Sequence, residues 1–179
     1  MISNKSQITI KVDYSSDRMC RYGYTKSWDE NKKNATFILM NPSKGTEFKL
    51  DNTIVNINNY CVDSNFGSFT ILNLFPLMTT KPNELSGKLL LNSDENNLYI
   101  EKALEMTNDI FIAWGSGKKY LRKKKELEKI LNKNIFSTKK IKCWKEGNEY
   151  PKHLRIMRKK WTLSNYDFKH FDKTNNENN

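Results

Sequence analysis

Apolar residues along the chain gather in short uninterrupted runs that alternate with stretches of helical spacing. Thr36 to Met40, Thr-Phe-Ile-Leu-Met, is too short for a helix and rich in strand formers, so it reads as a strand buried on both faces. Pro42 ends it, because proline disfavours a helical residue before it and cannot donate to a sheet ladder. The polar trio Asn41, Pro42 and Ser43 is therefore expected just past the carboxyl end of that strand, where the bland alternative is a simple turn. Two further runs end in a similar way. Ser68 to Leu74 presents Asn73 before Phe75-Pro76, and Asp109 to Ala113 runs into Trp114-Gly115-Ser116-Gly117. In open α/β sheets the carboxyl edge is where ligands bind.

Between these runs the spacing turns helical. Asp51 or Asn52 is placed to cap a helix carrying Ile54, Val55, Ile57, Tyr60 and Cys61 on one side, ended by Asn65 to Gly67. A second helix is predicted from Ser93-Asp94 to about Thr107, with Leu98, Ile100, Ala103, Leu104 and Met106 inward. A third, Lys118 to Asn132, turns Leu121, Leu127, Ile130 and Leu131 inward and leaves Lys119, Arg122, Lys123, Lys124, Lys125 and Lys129 outside. Residues 7 to 14 alternate apolar and polar, and Cys20 to Tyr24 carries aromatics beside Gly23. Both read as strands with one face in water, suited to an edge hairpin. Ile141 to Trp144 is the last predicted strand. Strand, helix and strand in succession imply right-handed crossovers, hence an α/β protein: a three-layer α/β/α sandwich around a mainly parallel sheet.

A chain of 179 residues is expected to form one domain over 1–172, burying about 70% of its unfolded surface, with a disordered polar tail at 173–179. Cys20, Cys61 and Cys143 are far apart and form no Cys-x-x-Cys pair, which argues against a disulfide framework or a zinc site and fits a reducing cytoplasm. Nothing reads as a signal peptide or a membrane span. Net charge is +11, and it is segregated: residues 1–114 hold 12 Lys/Arg against 13 Asp/Glu, whereas residues 115–179 hold 19 against 7. Lysine-rich codon usage explains abundance but not segregation. A polyanion partner does explain it, because each neutralised phosphate releases counterions.

Candidate chemistry collects at the strand ends. The Gly115 to Gly117 turn sets flexible backbone at a helix start, where free amides favour an anion, although it matches no phosphate-binding fingerprint. Lys118, Lys119, Arg122, Lys152 and Arg155 are placed to track a nucleic-acid backbone. His153 is one of two histidines and the one beside a Pro-x-His segment; His170, in the polar stretch near the C-terminus, reads as surface.

Five motifs in order carry a family resemblance: Met40-Asn41-Pro42-Ser43, Asp51-Asn52-Thr53-Ile54, Asn73-Leu74-Phe75, Ala113-Trp114-Gly115 and Pro151-Lys152-His153. Over roughly residues 20 to 157 the chain resembles the bacterial and phage domain of unknown function numbered 1643. It departs at Tyr150, and at Leu154 where proline commonly follows the histidine. That family in turn is similar to the uracil-DNA glycosylase superfamily. The resemblance implies that Asn41 positions a water, Asn73 reads a base and His153 stabilises the leaving base. Pro42, Ser43, Asp51, Phe75, Trp114, Gly115 and Ser116 would complete the substrate site, and Phe75 or Phe48 would sandwich an extruded base. Asparagine at 41 resembles the mismatch-specific branch and implies slower chemistry, because an amide is no general base. The expected activity is excision of a damaged or modified base from DNA, rather than RNA, with no metal or other cofactor. A non-catalytic nucleic-acid or nucleotide binding module on the same fold, and a hydrolase of free nucleotides or nucleosides, are the competing classes.

Overall fold

A computed structural model describes residues 3–43, 47–79, 93–117 and 120–168. The strands are β1 (Thr9–Tyr14), β2 (Arg21–Ser27), β3 (Asn34–Leu39), β4 (Ser68–Asn73), β5 (Asp109–Ile112), β6 (Lys140–Lys145) and β7 (Thr162–Asn165). Three helices stand among the described residues: α1 (Asn52–Asp63), α2 (Ser93–Glu105) and α3 (Leu121–Leu131). The fold is α/β, with one seven-stranded sheet in the order β1-β2-β4-β3-β5-β6-β7.

Alternation along β3 divides the core. Ala35, Phe37 and Leu39 face Ile54, Ile57 and Cys61 of α1, while Ile38 faces the side that holds Ile100 and Leu104 of α2 and Leu127 and Leu131 of α3. β3 pairs in parallel with β4 on one side and β5 on the other, and β5 pairs in parallel with β6. The chain leaves β3 toward β4 by way of α1, and leaves β5 in the opposite direction toward β6 by way of α3. That reversal makes the carboxyl ends of β3 and β5 the switch point of the sheet.

Several expectations are corrected. The sheet is mixed rather than mainly parallel, since β1-β2, β2-β4 and β6-β7 are antiparallel. β2 carries no water-facing side over Arg21 to Tyr24: Tyr22 stacks on Tyr99 of α2, Tyr99 also lies against Gly23, Tyr24 stacks with Phe69, and all four residues are buried. Ile141–Trp144 lies in β6 but is not the last strand; β7, a short polar edge of Thr-Leu-Ser-Asn, follows it and lacks the apolar signature of a strand. In α2 the buried stripe runs through Asn96, Ile100 and Leu104, one turn apart, so Leu98 falls on the far side and is 61% exposed. Met106 lies past the end of α2 and is 86% exposed. α3 begins at Leu121, after Tyr120 in the left-handed region, and its inward stripe includes Lys124 and Glu128. Lys124 is only 1% exposed, contrary to the solvated face expected of it. The expected tail, 173–179, lies outside the described residues.

Gly67 shows how tightly the β3 entry is packed. Its carbonyl accepts from the amides of Trp28 and Asp29, its own amide donates to Lys33, and a β-carbon there would stand 1.9 Å from the Asp29 carbonyl oxygen. Backbone cannot yield as a flexible side chain can, so Gly67→Ala should destabilise the fold by about 3 kcal/mol in a denaturant titration, near the upper end of overpacking costs.

Candidate functional site

A cavity of about 470 Å³ opens at the carboxyl ends of β3 and β4. Asn41, Pro42 and Ser43 line it from the β3 end, Asn73 from the β4 end, and Asp51 to Ile54 from the start of α1. His153 and Arg155 close it from the loop after β6, Arg21 reaches it from β2, and Thr79 from the segment after β4. Three residues singled out from separate parts of the sequence, Asn41, Asn73 and His153, therefore share one hollow.

Backbone groups hold the side chains of Asn41 and His153 but not that of Asn73. The Asn41 amide nitrogen donates to the carbonyls of Pro42 at 3.1 Å and Thr79 at 2.8 Å. Carbonyls only accept, so the side chain's orientation is settled and Oδ1 is the atom it has left to offer. Asn73 is 1% exposed, and neither its amide nitrogen nor its amide oxygen has a hydrogen-bond partner. A buried unsatisfied amide costs about 1–3 kcal/mol, and at the cavity wall this one has both a donor and an acceptor left to offer. The backbone beneath it is pinned by Asn96, whose amide nitrogen donates to the carbonyls of Asn73 and Leu74 at 3.0 and 3.3 Å.

His153 stands on a loop tied down at several points. Lys152 donates its amide to Trp144, and Leu154 is fully buried, which answers the missing proline with an apolar anchor. The Asn56 side chain of α1 donates to the carbonyls of Leu154 and Arg155 at 2.9 and 3.1 Å. Glu146 gathers Trp161 Nε1 at 2.9 Å and the ammonium groups of Lys152 and Lys160, with Lys160 foremost among the groups that hold its carboxyl down to about 2. The Arg155 amide donates to His153 Nδ1 at 3.1 Å, so in the neutral ring the proton sits on Nε2, ready to donate. Solvent still reaches this histidine at the mouth of the cavity, but surrounding protein strips hydration from its charged form. Desolvation draws its pKa below the ordinary value, with Asp51 opposing the shift and Arg155 adding to it.

The Gly-Ser-Gly turn lies beside His153, where a β-carbon on Gly115 would meet the histidine's at 3.9 Å. Gly115 has φ of 91°, a conformation that suits glycine. Buried Lys124 binds this turn, its Nζ donating to the carbonyls of Gly115 and Gly117 at 3.1 and 2.5 Å, and burial draws its pKa down to about 8.

Other expected site residues lie elsewhere. Trp114 is buried in the core against Tyr166, and Phe75 packs edge-on to Tyr120 beneath the sheet, so neither lines the cavity. Phe48 is 93% exposed and free of the sandwich assigned to it. Ser116 is half-buried in the turn next to the cavity but does not line it. Lys152 is paired with Glu146 and Glu149, and Arg122 with Glu126 at 3.6 Å, which weakens the case for both as phosphate ligands. Lys118 and Lys119 lie outside the described residues. Arg21 and Asn56 had no signal in the sequence beyond being polar within apolar stretches, and Asn96 had none within its polar run.

A family model described as a protein of unknown function (DUF1643) matches residues 21–153. The chain belongs to the DUF1643 family. The matched span of this DUF1643 member runs from Arg21 to His153, and so takes in the cavity from its β2 wall to its histidine. No curated protein and no solved structure matches it. Among the described residues no helix is long and apolar enough to cross a membrane, and no group of three or more metal-ligating side chains gathers.

His153 should titrate below 6.5 in an NMR pH series, with His153→Gln used to separate its signal from that of His170. Arg155→Gln, by removing a nearby cation, should raise that midpoint. Because folding lowers the ring's proton affinity, this group's effect on stability is absent at high pH. The fold loses stability as pH falls from the unfolded value through the folded one.

Proposed function

We propose that this protein removes a damaged or modified base from DNA by hydrolysing its N-glycosidic bond, on a uracil-DNA glycosylase-like three-layer fold. The observation that carries this reading is the Asn73 side chain, buried and without partners at the wall of a cavity that also holds Asn41 and His153. An amide presents a donor and an acceptor side by side, matching the edge of a base extruded from its stack. His153, neutral and protonated at Nε2, supplies a donor to the oxyanion that develops on the departing base. Asn41 Oδ1 holds a water by accepting one of its protons in a hydrogen bond. The cavity volume suits one nucleoside unit.

The basic C-terminal third supplies the attraction to a polyanion, of which Arg155 stands at the cavity mouth. Phe48, fully exposed a few residues before α1, is available to contact unstacked bases.

Incubation with duplexes bearing uracil, 5-hydroxymethyluracil or glucosylated cytosine, scored for abasic sites, tests the reading. At least one should be cleaved, and Asn73→Ala should slow that cleavage by about 100-fold or more. Duplex affinity should fall steeply as salt rises, whereas turnover of free nucleosides should not. Salt-sensitive binding with no abasic product on any duplex would leave a binding module and remove the enzyme.

A further inference from the structure

We propose that the Asp51 carboxylate is the general base that takes a proton from the attacking water, a role that rests on the base-excision reading above. Among the described residues lining the cavity, Asp51 is the one carboxylate. It stands at the N-cap of α1, where Oδ1 accepts from the Ile54 amide at 2.9 Å. A carboxylate keeps a second oxygen with lone pairs of its own. It lines the same cavity as the Arg21 guanidinium of β2 and the His153 ring, and its charge favours the protonated form of both. With Arg155, these are the charged and titratable groups that line the cavity among the described residues. Asn41 has its amide nitrogen on two backbone carbonyls and offers only Oδ1, which can orient a water but cannot take its proton. The two cavity residues divide the work, with Asn41 aiming the water and Asp51 deprotonating it.

The step balances without a co-reactant. Water oxygen forms the new bond to the sugar's anomeric carbon, and one water proton passes to Asp51. The bond from that carbon to the base nitrogen breaks, and its electron pair leaves with the base, whose charge is met by the His153 Nε2 proton donor. Asp51 then returns the proton, through solvent, to the departed base, leaving a free base and an abasic sugar.

Asparagine caps a helix about as well as aspartate, so Asp51→Asn separates capping from proton transfer. The thermal midpoint should stay near wild type, while single-turnover cleavage of the preferred duplex falls by about 100-fold or more and the acid limb of its pH profile disappears. The His153 NMR midpoint should fall, because a carboxylate that raised it has gone. Cleavage by Asp51→Asn at close to the wild-type rate, with the same pH profile, would reduce Asp51 to a cap while the base-excision reading stands. A His153 midpoint unmoved by the substitution would overturn the placement of Asp51 whatever the activity. A wild-type protein that releases no base from any duplex would overturn the base-excision reading, and this role with it.

Discussion

Everything at the cavity depends on β3 being held from both sides in fixed register. Its pairing with β4 and β5 continues past the regular strands, as Leu74 and Phe75 donate to Leu39 and Met40, and Ala113 donates to Ile38. These bonds bring the ends of three strands to one level. A slip of one residue would turn every side chain to the opposite face and carry Asn73 away from Asn41. Phe37, stacked on Phe111 at 4.9 Å, and the buried Ile38 on the opposite face make such a slip costly by locking both sides of the strand into filled cores.

Around that level edge, the walls are fastened by buried or half-buried polar side chains that bond to backbone carbonyls. Asn96 fastens the end of β4, Asn56 the histidine loop, and Lys124 the glycine turn. Each is a donor placed where an apolar residue would pack as well, and each satisfies carbonyls that irregular backbone would otherwise bury unpaired. The exception is Asn73, whose amide is buried without such service. Asn96 leaves only its amide oxygen unpaired, whereas Asn73 leaves both its donor and its acceptor bare at the cavity wall.

The apolar runs determined β3, β4, β5 and β6, and the helical spacing determined α1, because burial on two faces or one leaves a period that local sequence displays. The same runs, ended by Asn41-Pro42 and Asn73 followed by Phe75-Pro76, identified two of the cavity's residues, and Pro151-Lys152-His153 a third. What local pattern does not contain is partnership. Lys124 and Asn96 sit at inward helical positions because distant carbonyls await them, so hydropathy assigned one to solvent and let Leu98 stand in for the other. β7 is a strand because β6 offers it an edge, and β2 is buried because side chains from distant elements, such as Tyr99 of α2, cover it. Arg21 belongs to the cavity only through a sheet order that brings β2 beside β4. Tertiary structure decided those matters, since a buried polar group or a polar edge strand is stable only through atoms that lie far off in the chain.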